Sequence, residues 1–66
     1  MTPLHPRDMT TGQREEFATY LDGLGTGRRE TALALHEMGL GGSTACLEAA
    51  ERREAQAARV RKGEAP

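Results

Sequence analysis

At 66 residues the chain has room for a single domain, and a core of that size contributes no more than about 3 to 5 kcal/mol of net stability. Nine basic against ten acidic side chains leave a net charge of −1, too weak a field to gather nucleic acid or an anionic membrane over the whole surface. The single cysteine, Cys46, excludes an internal disulfide, so the support a small core needs is expected from self-association or a protein partner.

Pro3 and Pro6 remove backbone donors and disfavour helix before them, which predicts an extended or disordered arm over residues 1–9. Thr10 and Gln13 stand at capping-box spacing and open a first helix, whose Phe17, Tyr20, Leu21 and Leu24 share one face. Gly23 and Gly25 suit the left-handed end of that helix, and Thr26 the cap of the next. The second helix carries Ala32, Leu33, Leu35 and Met38 as its apolar stripe. Gly39 is its expected stop, with Leu40 folding back on Leu35. From Ser43 or Thr44, with Ser43 as cap, a third helix of strong helix-forming composition runs to Lys62 without Gly or Pro.

The expected fold is therefore a small all-α, three-helix domain over residues 10–62. The first two helices make a hairpin, the third is longer, the N-terminal arm is disordered and residues 63–66 are a frayed tail. Phe17, Leu21, Leu35, Met38 and Leu47 are its predicted core. No run is apolar enough to span a membrane, and the N-terminus lacks the apolar stretch of a signal peptide. The expected location is cytoplasmic, with Cys46 reduced.

Three chemistries are disfavoured by spacing. "GLGGST", residues 39–44, has the glycines and hydroxyls of a phosphate loop but no lysine before Ser43 and no preceding strand. His5, His36 and Cys46 lack the short paired spacing of a zinc site. Cys46 has no evident base beside it, and short helices enclose no deep pocket, so no catalytic role, metal or cofactor is expected.

The stretch "RRETALALHEMGLGGST", Arg28 to Thr44, resembles the first helix and turn of helix-turn-helix regulators and of transposase-like or small-terminase-like phage proteins. The resemblance implies that Gly39 is the turn glycine and that Ser43 and Thr44 begin a recognition helix. It implies DNA binding by a dimer, with Arg28, Arg29, Ser43, Thr44, Arg52 and Arg53 near phosphate.

The preferred expectation is a non-enzymatic protein–protein interaction module. It would be a self-associating regulator or inhibitor of a larger partner, of the kind phages and mobile elements encode. Cys46, Ala50, Arg53, Ala57 and Val60 trace a thin stripe on the third helix, and small residues there let another backbone approach. These five are the predicted partner-binding residues. The distal half, Ala55 to Lys62, is expected to project beyond the hairpin, fray alone and order on binding. Arg59, Arg61 and Lys62 suit the negative end of the helix dipole.

Overall fold

A computed structural model describes residues 4–66, and every regular element among them is helical. Two long helices, α1 (Thr11–Glu37) and α2 (Ser43–Arg61), form an antiparallel hairpin, preceded by a 3-10 turn at Pro6–Asp8. Its extents of 45 × 23 × 15 Å are those of a rod one helix thick.

The capping box opens α1 as its sequence predicts. The Gln13 amide donates to Thr10 Oγ1 at 3.1 Å, and the Thr10 amide to Gln13 Oε1 at 2.9 Å. The helix then runs unbroken for 27 residues, so the predicted first and second helices are one, and the fold has two helices where three were expected. Gly23, Gly25 and Gly27 carry no positive φ; Thr26, expected to cap a new helix, donates its hydroxyl to the Asp22 carbonyl within the old one.

Three mid-helix glycines cost about 1 kcal/mol each relative to alanine. At Gly25 alone, packing against α2 offsets this. Gly25 is buried where a Cβ would stand 3.2 Å from the Ala50 carbonyl oxygen and 3.3 Å from Glu54 Cγ. Ala18, Gly25 and Ala32 recur every seventh residue on α1, as do Ser43, Ala50 and Ala57 on α2, the period of a continuous helix–helix seam. Ala18, Leu21, Ala57 and Val60 form the central cluster, with Phe17 packed against it.

That seam corrects the predicted core. Leu21 is buried and Phe17 and Leu35 are half-buried, but Met38 is 69% and Leu47 40% exposed. Small residues bring the helix axes close, and the larger apolar residues fall on the flanks. Val60 is the largest fully buried side chain.

Gly39 ends α1 as expected, at φ +71, with the Leu40 amide donating to the Leu35 carbonyl and the Gly39 amide to His36. Ser43 is not the cap of α2. Gly42 holds that position at φ +95, without a side-chain cap bond. Gly63, expected to fray, repeats the Schellman ending: its amide donates to Val60 and that of Glu64 to Arg59.

Of the predicted N-terminal arm, residues 1–3 lie outside the described residues. His5 and Met9 are extended, and Pro6 is buried. Arg14 of α1 holds this segment by donating to the Pro6 carbonyl at 2.7 Å and the Arg7 carbonyl at 3.2 Å.

The glycines should separate in thermal unfolding. A Cβ at Gly23 or Gly27 meets nothing within 4 Å, so Gly23→Ala and Gly27→Ala should each raise stability by about 0.5 to 1 kcal/mol. Gly25→Leu should lower the melting temperature by forcing the helices apart. Gly39→Ala should cost about 1 kcal/mol or more, because its strain is conformational and needs no clash; in a domain this small, each kcal/mol moves Tm by roughly 4 to 8 °C.

Candidate functional site

Because the hairpin is one helix thick, its seam separates two open faces, and their electrostatics differ. On one face α1 and α2 are tied by ion pairs. Arg29 donates from Nε and Nη2 to the two carboxylate oxygens of Glu54, both at 2.7 Å. Arg61 reaches Glu15 with Nε at 3.1 Å and Asp22 with Nη2 at 2.9 Å.

These contacts hold the Glu15 carboxyl below its ordinary value of 4.5, chiefly through the hydrogen bond from Arg61. The hydrogen bond from Arg29 does the same for Glu54, and both guanidinium pKa values are raised in return.

Toward the interhelical turn this face opens into a shallow, mainly apolar groove of about 260 Å³ lined by Arg29, Ala32, Leu33, His36, Ser43 and Leu47. Ala32 is its buried floor. Leu33, 59% exposed, and Leu47, 40% exposed, form its walls.

Across the seam, Arg28, Arg52 and Arg53 converge with Ala49 and Gln56 around a polar groove of about 270 Å³. Arg53 Nη1 donates to Gln56 Oε1 at 3.2 Å. Among the described residues, none of these three arginines has a carboxylate within 4.0 Å. Phe17 and Leu24 fall on the same side of α1 as Arg28, by helical spacing.

The structure divides each predicted residue set. Of the partner-binding stripe, Ala50, Ala57 and Val60 are fully buried against α1 within the chain itself. Cys46 is half-buried and Arg53 exposed at the seam's edge. The distal half of α2 does not project: Ala57 and Val60 pack on Ala18 and Leu21, and Arg61 is tied to α1. The physical reason is the length of α1. Two short helices could not have covered this half of α2, whereas one of 27 residues does.

Of the residues the helix-turn-helix resemblance assigns to DNA, Arg28, Arg52 and Arg53 come together. Arg29 is bound to Glu54 on the other face. Ser43 lines the apolar groove and Thr44 is exposed at the turn, some eight residues and about 12 Å along α2 from Arg52. The two helices lie side by side along the seam, without the steep crossing of a DNA-reading motif.

Leu33 and Leu47 stood in the sequence as a stripe member and a core residue. The seven-residue recurrence of small residues is the signal that places them on the flank. No protein-family model, no curated protein and no solved structure matches this chain.

The ion pairs fix the acid response. A carboxyl whose folded pKa is depressed contributes stability that is present above its unfolded value and lost as pH falls through the folded one. Melting temperature should therefore hold level above about pH 5 and decline below about pH 4.5. The decline should be shallower in Glu15→Gln combined with Glu54→Gln, and shallower for wild type in 1 M salt, since all four groups are solvent-exposed.

Proposed function

We propose that the chain is a non-enzymatic interaction module that associates with a second copy of itself through the Leu33–Leu47 groove. The observation that carries this reading is a one-layer hairpin with an apolar groove on an open face. A helix pair needs a second layer to bury its apolar flank, and two packed hairpins are the simplest such layer. The buried cluster of Ala18, Leu21, Ala57 and Val60 is thin for an isolated domain, which favours a copy always at hand.

The groove suits a two-fold arrangement. Protruding Leu33 and Leu47 of each copy can lie over the Ala32 floor of the other, so that one patch is both ligand and receptor. Arg29 with Glu54, His36 and Ser43 form a polar rim that keeps water and register in order. The regulator or inhibitor role belongs to this reading as the work of the assembled dimer on a larger partner.

Sedimentation equilibrium at tens of micromolar should give twice the chain mass, and Leu33→Glu with Leu47→Glu should give a monomer that is still helical by circular dichroism. A wild-type chain that stays monomeric to millimolar concentration, or a double variant that stays dimeric, would overturn the proposal.

A further inference from the structure

The ion-paired face and the Arg28 face are built from the same two helices, yet only one of them neutralises its arginines. Arg28 and Arg53 also hold places in the seam's own register. Each stands three residues after one of its small residues, Gly25 or Ala50, and four before the next, Ala32 or Ala57. The equivalent places elsewhere along the seam are held by Leu21 and Val60, both buried, and by Leu35 and Cys46, both half-buried. Two cations therefore stand where packing alone would favour apolar side chains, and Arg52 adds a third.

The surroundings offer little compensation. One helical turn from Arg28 lie Leu24, Gly25, Thr31 and Ala32; from Arg53, Ala49, Ala50, Gln56 and Ala57. Arg52 has Glu48 four residues before it, and that carboxylate does not approach within 4.0 Å. Glu54, next to Arg53 in sequence, is turned to the other face by Arg29.

We propose that the groove between Arg28, Arg52 and Arg53 binds a phosphate-class oxyanion. Its volume, about 270 Å³, admits a diphosphate-sized group with water. Planar guanidinium forks match phosphate oxygens with paired donors, and the groove's three positive charges suit a multiply charged phosphate better than a single carboxylate. Gln56 orients Arg53 by accepting from Nη1 and leaves its remaining donors free. The chemistry is common to free polyphosphates and to a nucleic-acid backbone, and the site lies across the seam from the self-association groove, so either proposal can fail without the other.

Nuclear magnetic resonance of arginine Nε–Hε groups in the intact chain tests this directly. Titrated with inorganic pyrophosphate at low salt, the resonances of Arg28, Arg52 and Arg53 should shift together, while that of Arg59, outside the groove, stays in place. Arg28→Gln and Arg53→Gln should each weaken binding about tenfold or more, with helicity checked by circular dichroism, and Arg59→Gln should not. A short single-stranded oligonucleotide that binds more tightly than pyrophosphate and responds to the same variants identifies a nucleic-acid backbone as the source; one that binds more weakly identifies a free polyphosphate. No shift at 10 mM pyrophosphate, an equal loss in Arg59→Gln, or tighter binding of a glutamate-rich peptide than of pyrophosphate overturns the assignment.

Discussion

The close approach of α1 to α2 at Gly25 is the constraint from which the rest of the molecule follows. With the Ala50 carbonyl oxygen 3.2 Å from where a Cβ would be, the two backbones meet with almost no side chain between them. Such contact draws dispersion energy from many backbone and Ala atoms, and around Gly25 it leaves no room between the helices for large apolar groups, which enter the seam only further along, at Leu21 and Val60. The molecule is therefore one layer thick and its larger hydrophobic residues are displaced to the flanks. A fold that solved its helix pairing with leucines would bury Leu33 and Leu47; this one exposes them.

Small residues alone specify register poorly, because an Ala–Gly surface slides with little change in contact. The ion pairs supply what the seam lacks. Each exposed pair adds about 0 to 1 kcal/mol at most, but Arg61 with Glu15 and Asp22 fixes the open end of the hairpin and Arg29 with Glu54 its middle, on either side of the glycine-rich stretch. A slip of one helical turn would draw Arg29 away from Glu54 and move Arg61 out of its place between Glu15 and Asp22. Charge patterning here acts as a selector among alignments that hydrophobic burial leaves nearly degenerate.

Local signals in the sequence carried true local information. The Thr10–Gln13 box, the Gly39 stop and the uninterrupted run of α2 all rest on interactions within a few residues, and the structure forms each of them. The glycines at 23, 25 and 27 were illegible by the same logic. Taken alone they are helix breakers, and only the partner helix 25 or more residues away makes Gly25 favourable. Without a continuous α1 there is no long surface to cover Ala57 and Val60, and a stripe that packs within the chain has the look of a surface for a partner. The convergence of Arg28 with Arg52 and Arg53 depends on the same pairing, and residues so far apart in sequence share a groove only once the hairpin is continuous.

The placement of the two candidate surfaces on either side of one thin seam has a consequence for how they would act together. If hairpins associate through the Leu33–Leu47 groove, the Arg28–Arg52–Arg53 grooves of both copies remain open on the outside of the pair. Three uncompensated cations on a chain of net charge −1 make a weak polyanion binder by themselves. Two such triads at a fixed separation behave differently, since the second phosphate contact on an extended polyanion becomes intramolecular and its effective concentration is set by the geometry of the dimer. Self-association would thus convert a modest oxyanion site into a selective one, favouring ligands whose phosphates match the spacing between copies over free diphosphate, which can occupy only one groove. The near-neutral charge of the chain reinforces that selectivity, because little long-range attraction is available to hold a ligand that fails to meet both grooves.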